Sequence, residues 1–277
     1  MLEFAPGSFV LTVEVVPPSG PDAGPLLASL APLASLPIQA FSVATNPMAR
    51  ARMSALALSS LILGRTGKPA ILHCTPRDHN RLSLQGLLWG ARALGLDTVL
   101  AASGDRVSLR ERGLTSVDDL DLFALIGMAV EAGFQVGVVL DPRPERRGLK
   151  RELERLKRKV EAGARFVVTQ PVYTTGEALE LAEAAAFAGA PALLGILPLR
   201  TARHAEFLHR KVAGISVPDE VRARMAGARD PVAAGLELAR LMLDTARRNF
   251  SGACLMPPFG HYELLADLLE NRPVSGT

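Results

Sequence analysis

Eight short apolar runs recur along the chain, and each ends in residues that an apolar strand would not choose. Val10–Val13 meets Glu14, Phe41–Ala44 meets Thr45 and Asn46, Ala70–Leu72 meets His73 and Thr75, and Val99–Ala102 meets Ser103-Gly104-Asp105. Further on, Val136–Leu140 meets Asp141, Phe166–Val168 meets Thr169-Gln170, Ala192–Leu197 meets Pro198 and Arg200, and Ala253–Met256 meets Pro257-Pro258. Helical patterns separate most of these runs. Strand alternating with helix implies a parallel sheet, and eight such units predict a closed (β/α)8 TIM barrel of the α/β class. All strands of such a barrel point one way. The polar run-ends then share one face, which is where this fold builds active sites.

The length agrees, since one barrel needs roughly 250 residues and this chain has 277. With no repeat, linker or low-complexity tract, residues 1–277 read as a single domain. Helices are expected over Pro21–Ala34, Pro47–Leu63, Asp78–Leu94, Gly148–Ala162 and Thr175–Ala188, and Gly260–Leu269 closes the barrel. Another runs to Ala132 behind a cap at Ser116 and Asp119. Thr201–Lys211, Pro218–Ala226 and Asp230–Phe250 add extra helices between strands seven and eight, and 106–116 reads as a long loop over the pocket.

A formal net charge of +3 suits a small anionic ligand and carries no nucleic-acid motif. No run of about 18 apolar residues suggests a membrane span, so a cytoplasmic protein is expected. Cys74 and Cys254 have no CxxC spacing and read as buried free thiols. No second His or carboxylate stands at metal spacing, so no metal site is expected.

Four run-end residues can carry chemistry. Glu14 sits among Val13, Val15 and Val16, where desolvation would raise its pKa and suit a general acid; a loop-solvated carboxylate is the alternative. Asp105 after Gly104 is either a turn residue or a ligand contact. Gln170 has an amide suited to reading a heterocycle edge. His73 is either a base or ligand, or a hydrogen-bonded core residue. The basic segment Arg143–Lys159 reads mostly as a solvated helix with i,i+4 pairs, yet the loop at its start follows strand five on the polar face and suits a phosphate. Neither GxGxxG nor GxxxxGK[ST] is present.

Several stretches together resemble the methylenetetrahydrofolate reductase family along nearly the whole chain. They are Val13-Glu14-Val15-Val16-Pro17-Pro18, Ser103-Gly104-Asp105, Lys159 with Val160-Glu161-Ala162-Gly163-Ala164-Arg165-Phe166-Val167-Val168-Thr169-Gln170, and Gly195-Ile196-Leu197-Pro198. His73-Cys74-Thr75-Pro76-Arg77-Asp78-His79-Asn80, Leu84-Gln85-Gly86 and Gln170-Pro171-Val172-Tyr173 are similar to one branch, the reductase-type domain fused in some bacteria to homocysteine S-methyltransferase.

The resemblance implies a TIM-barrel flavoprotein of one-carbon metabolism and methionine biosynthesis. NAD(P)H would reduce FAD and leave; methylenetetrahydrofolate would then bind, open to an iminium and accept the hydride, in ping-pong order. It implies Glu14 as the acid for ring opening and Asp105 as a carboxylate near flavin and pterin. Gln170, Tyr173 and Phe207 would contact substrate. Thr45, Asn46, His73, Ser103, Gly104, Asp105, Asp141 and Lys159 fall at flavin-side positions. Expected partners are NAD(P)H and folate, with a homo-oligomer and a methyltransferase partner also open.

The sequence departs from the family on the flavin side. Ala44-Thr45-Asn46 replaces Thr-Tyr-Gly, Ser103 replaces an Arg, and Leu140-Asp141-Pro142-Arg143 lacks the usual aromatic. These changes bear on FAD affinity more than on folate binding. Two other readings follow: a flavin-independent folate reductase, and a non-catalytic folate-binding accessory subunit of a methyltransferase system.

Overall fold

The computed structural model describes residues 1–5, 7–105, 115–117, 119–141, 149–212 and 214–270, the side chains of residues 149 and 150 excepted. Eight strands, β1 (Val10–Val15), β2 (Ala40–Val43), β3 (Ala70–Cys74), β4 (Thr98–Ala101), β5 (Gln135–Leu140), β6 (Phe166–Pro171), β7 (Ala192–Ile196) and β8 (Gly252–Leu255), pair in parallel in sequence order and close on one another. β8 returns to β1 through Val10↔Gly252 to Val13↔Leu255. The eight-stranded α/β barrel expected from the sequence is the fold observed.

Side chains alternate across each strand. One set faces the helices and builds the outer core with Leu11, Val13, Val15, Phe41, Val43, Val136 and Val138. The other set fills the lumen: Val10, Ala40, Ile71, Leu100, Phe166, Val168, Leu193 and Cys254 form a separate buried cluster. Gly137 lies under the Phe166 ring; a Cβ there would come within 2.3 Å of it. The N-terminal arm stoppers the far end. Leu2 donates its N–H to Gln135 Oε1 at 2.7 Å and accepts from Gln135 Nε2 at 2.9 Å, and Phe4 packs on Phe166 with centroids 5.7 Å apart. The lumen is therefore a packed core, covered at the N-terminal ends of the strands by this arm.

The helices are α1 (Gly24–Ala34), α2 (Ala55–Thr66), α3 (Arg81–Ala93), α4 (Leu122–Glu131), α5 (Leu149–Glu161), α6 (Thr175–Ala188), α7 (Ala202–Lys211), α8 (Asp219–Gly227), α9 (Pro231–Asn249) and α10 (Glu263–Glu270). α7, α8 and α9 are the extra helices between β7 and β8. They enclose a third cluster built from Leu199, Ala205, Leu208, Val217, Val221 and Leu238. Gly235 lets α9 touch the strand-seven exit, for a Cβ there would lie 1.8 Å from the Leu199 carbonyl oxygen.

α1, α3 and α10 each start three residues later than expected, and two larger differences lie near the strand exits. The helix expected from Pro47 begins only at Ala55, where Ser54 accepts from the Ala57 N–H. The preceding residues Asn46, Met48 and Ala49 carry φ of 41°, 57° and 55°, left-handed values that no helix admits. The cap of α4 is Asp121, which accepts from the Ala124 N–H; Asp119 instead accepts from the Arg81 N–H at 2.9 Å and ties α3 to the following loop. Residues 106–114 of the expected pocket loop lie outside the described residues. Among the described residues no helix is long and apolar enough to cross a membrane.

Candidate active site at the mouth of the barrel

Glu14 stands in β1 two residues beyond buried Thr12, so the strand period carries it to the open end of the lumen. Its register partner on β2 is Ser42. Ser42 Oγ in turn meets His73 Nε2 on β3 at 2.7 Å. Three adjacent strands thus supply a carboxyl, a hydroxyl and an imidazole to one patch. Among the described residues no side chain hydrogen-bonds the Glu14 carboxyl. Burial alone pushes its pKa up to about 7. The same desolvation pulls His73 down to about 4, so the ring is neutral near pH 7. Burial and then the Glu14 charge raise Cys254, behind Glu14 in the lumen, to about 12; Cys74, also buried, is raised to about 12 by desolvation. Both thiols are free and inert, as the sequence suggests.

Beyond this patch, the exits of β2, β3 and β4 are knitted together. Arg77 is only 8% exposed. Its Nε and Nη2 clasp Asp78 at 2.6 and 2.7 Å, and its Nη1 donates to the Asp105 carbonyl at 2.9 Å. Asn46 Nδ2 donates to Asp78 Oδ2 at 3.1 Å, and Asn46 Oδ1 accepts from the Arg52 N–H at 3.0 Å. Asp105 Oδ2 accepts from the Met48 N–H at 2.6 Å. Gly104 has φ +77°, and a Cβ there would sit 2.4 Å from Thr75 Oγ1, so the Gly is required for the turn that presents Asp105. Burial opposes ionisation of Asp78, but the bonds from Arg77 and Asn46 outweigh it and hold its carboxyl below the usual range. Thr45 and Asn46 are half-buried here, and Ser103, Gly104 and Asp105 are exposed.

The opposite half of the mouth is built from the exits of β5, β6 and β7 and from α7. A register shift between Val168 and Pro171 inserts a bulge at the end of β6, stabilised by the Gly195 N–H donating to Thr169 Oγ1 at 2.9 Å. Gln170, on the bulge, is partly exposed. Gly214 from the turn after α7 lies over both Gln170 and Asp141: its Cβ would meet Gln170 Cγ at 3.3 Å and Asp141 Oδ1 at 3.5 Å. Phe207 of α7 meets Phe259 at 5.6 Å between centroids, and His204 meets Phe259 at 4.7 Å. Phe259 is 64% exposed and makes an aromatic wall with Phe207.

Two sequence candidates point elsewhere. Tyr173 is buried with Leu199 and Leu208 rather than at the mouth, and among the described residues its hydroxyl has no hydrogen-bond partner. Lys159, 5% exposed, turns its amine to the barrel wall and donates to the Val139 carbonyl at 2.8 Å. Arg155 of the same helix donates to Ser103 Oγ at 3.3 Å, while Arg151, Lys157 and Arg158 face solvent. The loop proposed to hold a phosphate, with Arg143, Arg146 and Arg147, lies outside the described residues. Among the described residues no cluster of His, Cys, Asp and Glu could hold a metal.

Sequence reasoning did not assign Ser42, Arg77, Asp78, His204 or Phe259. Arg77-Asp78 was visible as a charged pair directly after strand three. Ser42 and Phe259 carried no signal, because their partners lie on other strands and loops.

A comparison with protein families matches residues 2–240 to Methylenetetrahydrofolate reductase. The chain belongs to the methylenetetrahydrofolate reductase family. Membership makes it an oxidoreductase acting on methylenetetrahydrofolate, in a family that is generally flavin-dependent. Among solved structures, 2,3-dimethylmalate lyase matches at TM-score 0.54 and 14% identity over 96% of this chain and 81% of its own. Oxaloacetate acetylhydrolase matches at 0.53 and 13%, over 98% and 84%. Tryptophan synthase from M. tuberculosis matches at 0.52 and 13%, over 95% and 92%. At such identities these structures share the barrel with this reductase-family chain and nothing more specific.

Proposed function

We propose that the chain reduces 5,10-methylenetetrahydrofolate to 5-methyltetrahydrofolate with NAD(P)H as hydride source and FAD as cofactor, in ping-pong order. The observation that carries this reading is the Glu14 carboxyl, raised to about 7 by burial at the open end of the lumen. Opening the imidazolidine ring of the folate to an iminium leaves electrons on a nitrogen that departs poorly unless protonated. A carboxyl half-protonated near neutral pH can donate that proton and be reloaded from solvent.

The other residues bind and orient. Asp105 keeps Oδ2 on the Met48 N–H, and its exposed carboxylate offers Oδ1 to an N–H of the pterin. Gln170, with donors and an acceptor on one amide, suits the edge of the same heterocycle. Phe207 and Phe259, their rings tilted 53° to one another, give an apolar wall against which an aromatic ring can pack. Uniform binding of this kind sets affinity, and only the Glu14 proton acts on the bond that breaks.

The residues beside β2, β3 and β4 fit a flavin ring. Thr45, Asn46, His73 and Ser103 are neutral hydrogen-bonding groups, with His73 held uncharged, and the Gly104 turn brings backbone close to the mouth. When bound, FAD supplies two-electron hydride chemistry that ordinary side chains lack. The purified protein, given FAD, NAD(P)H and methylenetetrahydrofolate, should oxidise the nicotinamide and form methyltetrahydrofolate in equal amounts. Failure of both, with flavin demonstrably bound, would overturn the assignment.

A further inference from the structure

We propose that Arg77 and Asp78 are a positioning pair that presents the Asp105 carboxylate to the folate; this rests on the role given to Asp105 above. The geometry runs in both directions from Arg77. Nη1 fixes the Asp105 carbonyl at 2.9 Å, so the backbone of that residue cannot rotate freely. Through Asp78 the guanidinium also holds Asn46 Nδ2, and Nη2 makes a long 3.5 Å contact to the Asn46 carbonyl. Asn46 begins the left-handed segment that ends in Met48 and Ala49. Such backbone is costly for non-glycine residues and persists only where its surroundings over-determine it. Its product is the Met48 N–H aimed at Asp105 Oδ2, 2.6 Å away.

The carboxylate is therefore gripped twice, at its own backbone and at one oxygen, and both grips lead back to one buried guanidinium. The planar fork of Arg matches the Asp78 carboxylate bidentately and still reaches the Asp105 carbonyl with its third nitrogen, which an ammonium cannot do. Asp105 is exposed, and among the described residues its hydrogen bonds are these two, from the Met48 N–H and from Arg77. The polar atoms of Arg77 are turned to Asp78, Asn46 and the Asp105 carbonyl, so the pair is given a role through Asp105.

A double-mutant cycle on the purified full chain tests this, with calorimetric affinity for methyltetrahydrofolate as readout and thermal midpoint as a check of folding. Loss of one charged hydrogen bond costs on the order of tenfold in binding. Asp105→Asn should weaken affinity by about that factor, and so should Arg77→Lys. In the Asp105→Asn background, Arg77→Lys should then add less than about twofold, because residues acting through a shared contact are non-additive. Equal losses in both backgrounds, or no loss from Arg77→Lys, would overturn the positioning role. An unaltered affinity in Asp105→Asn alone would instead remove Asp105 from the folate site and take the inference with it. Should Arg77→Lys fold poorly, Asp78→Asn runs the same cycle, with the same outcomes deciding it.

Discussion

Ser42 Oγ holds His73 Nε2 at 2.7 Å, one strand away from the position where Ser42 itself faces Glu14. The hydroxyl thus orders an imidazole and stands beside a carboxyl, with both groups pushed by burial toward their neutral forms. Neutral groups suit a lumen mouth that must receive an uncharged ring, and they give the fold a specific response to pH.

His73 should make the protein sensitive to mild acid. Its folded pKa, about 4, lies below the ordinary imidazole value of 6.5 because burial penalises the charged ring. Between those values the unfolded chain binds a proton that the native state refuses, so stability falls as pH drops from 6.5 toward 4. His73→Gln should flatten that part of the stability curve, read from denaturant midpoints at closely spaced pH. A curve of unchanged slope would mean that His73 is protonated in the fold.

Glu14 has the opposite sign. Its folded pKa, about 7, is above the usual 4.5, so the native state keeps a proton that the unfolded chain has lost. Stability is unaffected below pH 4.5 and is eroded as pH rises to 7. Glu14→Gln should therefore be more stable than the parent at pH 8, by about 3 kcal/mol, and equal to it at pH 4. A gain that persists at pH 4 would point to packing rather than ionisation.

Gly137 should tolerate no side chain. The 2.3 Å approach of its would-be Cβ to Phe166 leaves a packed lumen nowhere to move, because Phe4 already lies on that ring. Gly137→Ala should cost about 1–3 kcal/mol. Phe166→Leu in the same chain should recover part of that loss in chemical denaturation.

The barrel was legible because its signal is periodic: each strand is a short apolar run, and each exit is marked by polar residues. Glu14, Asp105 and Gln170 were legible as run-ends for the same reason. Tyr173 was read from its place in the Gln170-Pro171-Val172-Tyr173 stretch, but β6 stops at Pro171 and the chain then turns toward the cluster around Leu199 and Leu208. The Arg77 clamp was not legible, since Asn46 and Asp105 lie 31 and 28 residues away in sequence. Nor was the left-handed segment at Asn46–Ala49, where Met and Ala carry no turn preference and only the surrounding bonds hold the conformation.

Cofactor binding has a direct optical test. By the family resemblance Ser103 takes the place of an Arg on the flavin side, and here it accepts from Arg155 at 3.3 Å. A cation thus still reaches the strand-four exit, supplied by α5 instead of the loop. The protein should bind one FAD per chain, and Arg155→Ala should weaken that binding, followed by flavin fluorescence quenching. A protein that stays colourless after incubation with FAD would remove the flavin from the reaction.

Glu14 separates mechanism from membership. Reduction of the flavin by NAD(P)H needs no proton delivered to the folate, whereas ring opening does. A positioned general acid contributes typically ~10²–10⁴-fold. Glu14→Gln keeps the shape and loses the proton, so it should spare flavin reduction and slow the folate half-reaction at least ~10²-fold. The folate half-reaction of the parent should also decline as pH rises past about 7, where the carboxyl ionises, and that limb should vanish in the variant. Stopped-flow traces of each half, collected from pH 5.5 to 9, read both effects at once. Equal slowing of the two halves would reduce Glu14 to a shaper of the pocket. A parent profile that is flat through pH 7 would leave the raised carboxyl without a part in ring opening, and the proton would have to come from solvent.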